Sequence, residues 1–333
     1  MADTAMTFTL VGKLLRDVRW PLLAVCLLLF LFSTLWVRVA WRVTTEVAPF
    51  FNLIAKNSSI DQSAIEKVVF NGPGKVSQAV LGGADIRFER PTDFLVVEML
   101  HPVVIILLTL WAVGRTGGAV AGEIDRGTME LLLSQPVPRD RLILAHLIVD
   151  FIVIPVVVAS ILLGTHLGLW LTGPFVENLE VFNDLPPAVQ AMAKANGPKV
   201  LPVDTSGQWK AGLNLCGLAF AMSGLSLAVS SVGRSRWRAL GWAVLIVVTM
   251  FLVNVVGQLW EPVGRLRPFT LFFYYQPQAV WLKGIWMADV GDAFGLTKRM
   301  YLIPMVPMLF AVGTAGYLFA LRVFTRRDIP APL

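Results

Sequence analysis

GRTGGAVAGEIDRGTMELLLSQPVPRDR, residues Gly114–Arg141, is a polar interval between two long apolar runs, 94–113 and 145–171. It is punctuated by Gly114, Gly117, Gly118 and Gly122 and carries charges of both signs. The glycines loosen the chain as it leaves the first run. Glu123-Ile124-Asp125-Arg126 then makes a charged turn, and Gly127-Thr128 precedes Met129–Ser134, a run that can form an apolar-faced helix. Thr128 is suited to N-cap it, and Pro136 and Pro138 end it, because proline cannot continue a helix comfortably. Arg139 and Arg141 mark the return to apolar sequence. The pattern predicts a short helix held between two long ones. Such a hook can transmit a push to the long helices and offers a charged edge to a soluble partner; an ordinary interfacial loop is the simpler alternative.

The surrounding sequence explains what the long helices are for. Hydrophobic residues make up 56% of the 333-residue chain and charged residues only 15%, where soluble domains carry about 25% charged residues. Six apolar runs, 21–37, 94–113, 145–171, 211–232, 239–260 and 301–321, match what a hydrocarbon layer about 30 Å thick asks of a helix. The fold class is therefore an all-α polytopic membrane protein with six transmembrane helices and a short helix between the second and third. It forms one transmembrane domain over 1–333. Residues 7–20 place Leu10, Val11, Leu14, Leu15 and Val18 at helical spacing opposite Lys13, Arg16, Asp17 and Arg19, as an interfacial helix does; a plain charged flank fits as well. Pro155 is expected to kink the third span. No cleavable leader is expected, since no small-x-small site follows the first run.

Orientation follows from the basic residues. With the N-terminus inside, 13 of the 28 Lys and Arg fall on inner segments of about 65 positions, and 15 on outer loops of about 135. Inner density is roughly twice outer density, as the positive-inside rule expects. The short link GRSRWR, with Arg234, Arg236 and Arg238, votes most strongly. Both termini and the 114–141 segment are thus expected in the cytoplasm, with loops 38–93, 172–210 and 261–300 outside. Loop 38–93 contains IDQSAIEKVVF and ADIRFERPTDF, which read as a helix and a small strand or turn. Loop 261–300 is rich in aromatics (Phe269, Phe272, Phe273, Tyr274, Tyr275, Trp281 and Trp286), which predicts short helices dipping toward the headgroup level.

Several chemistries lack support. The net charge of +6 is spread over loops, with no dense basic stripe for nucleic acid. Cys26 and Cys216 fall inside spans and read as packing residues. Three histidines without an HxxxH or HExxH spacing give no metal site. Gly72-Pro73-Gly74-Lys75-Val76 lacks the first glycine and the Ser/Thr of a phosphate-binding loop, so the chain is not expected to be an enzyme or to hydrolyse ATP, and holds no cofactor of its own. No catalytic nucleophile constellation stands out. Ionisable residues inside spans are functional candidates by default. Glu98 and His101, three apart on one predicted helical face, are candidates for lining a substrate path, relaying a proton or binding a cation; hydration at the headgroup level is the simpler reading. His146 and Asp150 are placed at the interface, and His166 in a packing role.

The string Glu123-x-x-Arg126-Gly127-Thr128-x-Glu130-x-Leu132-Leu133-Ser134-x-Pro136-x-x-Arg139 resembles the signature of ABC transporter permeases of the type-2 exporter class. It is most similar to the bacterial subfamily in which permease and ATPase are separate chains. Phe272-Phe273-Tyr274-Tyr275-Gln276-Pro277 and the tail Arg326-Arg327-Asp328-Ile329 resemble the family's approach to its last span and its end. The resemblance implies that the 114–141 segment is the coupling helix docking on a cytoplasmic ABC ATPase subunit, and that Glu123, Arg126, Gly127, Thr128, Glu130, Pro136 and Arg139 form that contact. It further implies an exporter subunit of the cell (inner) membrane, with a second permease copy, membrane lipid as its surroundings, and ATP and Mg on the partner. The outer loop 38–93 is longer than in the simplest members. Two other classes compete: a polytopic enzyme acting on lipid, with Glu98 and His101 as its acid–base pair, and a non-transporting ATPase-coupled scaffold.

Overall fold

The computed structural model describes residues 2–57, 87, 90–129, 138–195, 197–295 and 301–327. Among them, six helices are long and apolar enough to cross a membrane. Span 1 is α1 (Ala2–Arg42), which continues through a π-helical turn, Val43–Val47, into α2 (Ala48–Asn57). Span 2 is α3 (Pro91–Leu100) and α4 (Pro102–Thr116). The short α5 (Ala121–Asp125) follows, then span 3, α6 (Arg139–Thr172). After α7 (Pro187–Lys194) come span 4, α8 (Gln208–Val232), and span 5, α9 (Arg236–Leu259). Span 6 is α10 (Met305–Arg326), entered from a two-stranded antiparallel ribbon that pairs Met287–Asp289 with Leu302–Pro304. The protein is a multi-pass, all-α membrane protein.

Span 1 runs well past its apolar run at both ends. Residues 7–20 are not a separate interfacial helix. Leu10, Val11, Leu14, Leu15 and Val18 pack on the bundle core, and α1 passes through Pro21 without ending. Past residue 37 the helix continues because Thr44 and Thr45 donate to the carbonyls of Ala40 and Trp41 at 2.8 and 2.7 Å, holding the widened turn. IDQSAIEKVVF lies outside the described residues. Pro155 likewise sits within an unbroken α6. Span 2 does break, at His101, because the residue before Pro102 is driven out of the helical region. His101 has φ −61° and ψ 136°, and its Nδ1 accepts from the Val103 N–H at 3.2 Å, capping the second half.

Apolar helices in lipid gain little by meeting unless their backbones come close. Spans 1 and 3 meet at Gly164, where a Cβ would stand 2.4 Å from the Phe30 carbonyl oxygen. Thr34 adds a bond from its hydroxyl to the Gly164 carbonyl at 3.1 Å. Spans 4 and 6 meet at Gly224, where a Cβ would stand 2.2 Å from the Gly313 oxygen. Span 4 is thereby the most enclosed helix and the axis of the bundle.

Exposed tryptophans mark the two membrane surfaces. Trp20, Trp237 and Trp242 lie at one end, and Trp170, Trp209 and Trp260 at the other. About 27 Å of helix separates Trp242 from Trp260, close to the hydrocarbon thickness of about 30 Å. The aromatic stretch before span 6 does not contribute to this belt as expected from sequence. Phe272, Phe273, Tyr274, Tyr275 and Trp281 are buried; only Phe269 is strongly exposed. The Asn214 side chain on span 4 explains this. It donates to the Tyr274 carbonyl and accepts from the Gln276 N–H, each at 3.0 Å, drawing the stretch into the end of the bundle. Tyr275 then donates to the Met99 carbonyl at 2.7 Å, holding it against the break in span 2.

Candidate coupling site

Span 2 ends at Thr116, and the next nine residues fold against the same end of spans 4 and 5. The N-terminus of a helix leaves N–H groups without partners. At α5 these are met from another helix: the Ser230 hydroxyl on span 4 accepts from the Val120 and Ala121 N–H groups, each at 3.1 Å. At its other end Asp125 accepts from the Arg236 N–H at 3.2 Å, at the first residue of span 5. Gly118 and Gly122 make room for the Arg236 side chain, whose Cγ and Cδ would lie 3.3 and 3.4 Å from a Cβ at these positions. Two of the four glycines read in the sequence as loosening the chain, Gly118 and Gly122, are thus packing surfaces for that arginine.

The charged turn is bonded to itself. Arg126 pairs with Glu123, and the Thr128 hydroxyl bonds both the Glu123 carboxylate and, at 3.2 Å, its carbonyl. Thr128 thus serves Glu123. Between them Gly127 has φ +69°, a left-handed conformation that glycine adopts freely. Arg126 projects outward, while Met129 is buried. Glu130 and Pro136 lie outside the described residues, as does the rest of the run 129–134. Arg139, the first residue of span 3, donates to the Arg327 carbonyl at 2.8 Å. Arg327 in turn donates to the carbonyls of Ser231 and Gly233 at 2.9 and 3.0 Å. Both ends of the hook are therefore tied to the end of span 4.

Just inside this end lies a buried ionic cluster. Arg115 on span 2 pairs with Asp150 on span 3, with Nε donating to Oδ1 at 2.8 Å. Its guanidinium also donates to the His146 carbonyl at 3.0 Å and reaches His146 Nδ1 at 3.3 Å. The Tyr317 hydroxyl on span 6 donates to the other Asp150 oxygen. His146 and Asp150, expected at a hydrated interface, are both buried. They are buried because Arg115 and Tyr317 supply charge and donors, as a buried carboxylate requires. Sequence reading missed Arg115, Tyr317, Ser230 and Arg236. Opposite charges near the ends of spans 2 and 3 were the available signal for the pair.

Glu98 and His101 are brought to different surroundings by the break in span 2. Glu98 is buried and accepts from Thr165 on span 3 at 3.2 Å. It is not hydrated at the headgroup level. His101 caps α4 and stands between Phe32 and Trp36, with ring centroids 4.9 Å from each. They do not form an acid–base pair on one helical face. His166, expected to pack, is exposed on span 3. Among the described residues no cluster of His, Cys, Asp and Glu could hold a metal, and Cys26 and Cys216 are free thiols.

The hook is thus bonded to spans 4 and 5, and a buried ionic cluster behind it joins spans 2, 3 and 6. Residues 14–329 match the family described as ABC-2 family transporter protein. The chain belongs to the ABC-2 transporter family. No curated protein and no solved structure matches it. Family membership covers the whole bundle, from the first span to the tail.

Proposed function

We propose that this ABC-2 family protein is the membrane subunit of an exporter whose ATPase is a separate chain, working as a pair of copies in the inner membrane with both termini in the cytoplasm. ATP and Mg act on the partner. Closure of the ATPase dimer pushes the hook, and the hook shifts the spans to which it is bonded. The observation that carries this reading is the clamping of α5 between Ser230 of span 4 and Arg236 of span 5. A segment so held moves with the helices rather than independently of them. The Arg115–Asp150–Tyr317 cluster carries the displacement on to spans 3 and 6. Arg126, Glu123 and Arg139 are the residues proposed to set the contact, with Gly127 and Thr128 shaping the turn. Glu130 and Pro136 complete the proposed surface, and Glu98 and His101 are proposed to border the substrate path at the opposite end.

The test is a pull-down of ATPase from native membranes, paired with a transport-coupled hydrolysis assay. Glu123→Lys reverses a charge and should weaken capture or uncouple hydrolysis, because like charges add repulsion to a lost contact. Glu123→Gln, which keeps an acceptor for Thr128, separates loss of the partner contact from loss of the turn. Glu66→Lys in the outer loop should leave both readouts unchanged. Capture and coupling like wild type in Glu123→Lys would reduce the hook to a linker.

A further inference from the structure

The end of the bundle that carries the hook also holds a groove of about 640 Å³ between spans 4, 5 and 6. Its mouth is basic, with Arg234 and Arg238 both exposed and Ser235 between them. Its floor is apolar, built from Ala228, Val232, Trp242, Ile246 and Phe319. Among the described residues no acidic side chain pairs with Arg234 or Arg238; the nearby Asp125 is engaged by the Arg236 N–H. A third arginine adjoins the mouth: Arg327 is anchored on the Ser231 and Gly233 carbonyls. Burial, and then the Arg234 charge, lowers its pKa. Like charges gathered at one mouth favour an anion.

The groove runs in the direction a lipid lies. About 12 Å of helix separates Arg238 from Ile246, which takes the lining from headgroup level into the acyl region. Trp242 and Trp237 belong to the exposed tryptophan belt at this end, and such belts sit at the membrane–water boundary. Guanidinium groups match phosphate oxygens in pairs, and basic pockets between spans on the cytoplasmic side hold anionic headgroups. We propose that this groove is a binding site for one anionic glycerophospholipid. Its phosphate would lie on Arg234 and Arg238, and its acyl chain over Trp242, Ile246 and Phe319. The site needs no ATPase. It adjoins the Gly233 carbonyl that holds Arg327, so bound lipid would brace the corner to which the hook is tied.

The test is native mass spectrometry of the delipidated full chain, titrated separately with phosphatidylglycerol, phosphatidylcholine and glycerol phosphate. Wild type should take up one phosphatidylglycerol at least tenfold more tightly than phosphatidylcholine, with glycerol phosphate at the same concentration failing to compete. Arg234→Gln/Arg238→Gln should erase the preference. Ala228→Phe keeps the charges but fills the floor, and should lower uptake of both lipids. Competition by glycerol phosphate would assign the mouth to a free phosphate ligand and overturn the acyl-chain half of the proposal. Unchanged lipid uptake in both variants would overturn it altogether. So would loss of a dimer species without change in lipid count, which would give the groove to a second copy.

Discussion

Removing one member of the Arg115–Asp150 pair should expose how much the cluster holds. Asp150→Ala leaves the Arg115 guanidinium buried without its counter-charge and the Tyr317 hydroxyl without its acceptor. Breaking one side of a buried pair costs about 3–5 kcal/mol, a large part of the 5–15 kcal/mol that holds typical domains. Arg115→Met alone should cost about as much, since it strands the carboxylate. The double variant Arg115→Met/Asp150→Leu removes both charges. What remains is the Tyr317 hydroxyl without its acceptor, about 1–3 kcal/mol, since the His146 carbonyl keeps its place in α6. A double-mutant cycle should therefore return a coupling energy above about 3 kcal/mol, well beyond the average of about 0.6 kcal/mol for interhelical hydrogen bonds in a membrane. The assay is reversible unfolding in mixed micelles, followed by tryptophan fluorescence, with ATPase coupling measured on the same samples. Single variants within about 0.5 kcal/mol of wild type would mean the pair is hydrated, as surface pairs are, and would refute its role in joining spans 2, 3 and 6.

Two local predictions concern the hook. Ser230→Ala removes the hydroxyl that accepts from Val120 and Ala121; a lost cap costs about 1 kcal/mol, so amide exchange over 120–125 should speed roughly fivefold while the spans keep their protection. Gly127→Ala meets no atom within 4 Å, so its cost is purely conformational, about 1–2 kcal/mol for a left-handed residue, read as reduced ATPase capture at normal membrane insertion; Gly127→Asn should be milder, because asparagine tolerates that region.

Apolar length made the six spans legible, because lipid imposes a single requirement along the chain. Their ends were not. The extension of span 1 depends on Thr44 and Thr45 donating to earlier carbonyls, and on Leu10 and Val18 finding the core, contacts that no window of hydropathy contains. The break in span 2 was written in His101-Pro102 but was outweighed by the apolar run around it. The polar interval announced itself through its glycines and charges, but its helix did not: α5 covers Ala121–Asp125, where a charged turn was expected, and the helix expected over 129–134 lies outside the described residues. Its anchors were hidden too. Ser230 and Arg236 are more than a hundred residues away, and serine in an apolar span looks like any small packing residue. Burial of the aromatic stretch before span 6 turned on Asn214, one polar side chain whose partners are set only by tertiary folding.

The account's central claim, that the 114–141 segment meets a cytoplasmic motor, is tested most directly by photocrosslinking in native membranes. A crosslinking amino acid at Arg126, which projects from the hook, should join the chain to an ABC ATPase subunit, with a yield that rises when a non-hydrolysable ATP analogue closes the motor. The same probe at Trp260, exposed at the opposite end, should give no such product. An ATPase adduct from the Trp260 position, or none from Arg126 in a chain fully inserted in the membrane, would contradict the account.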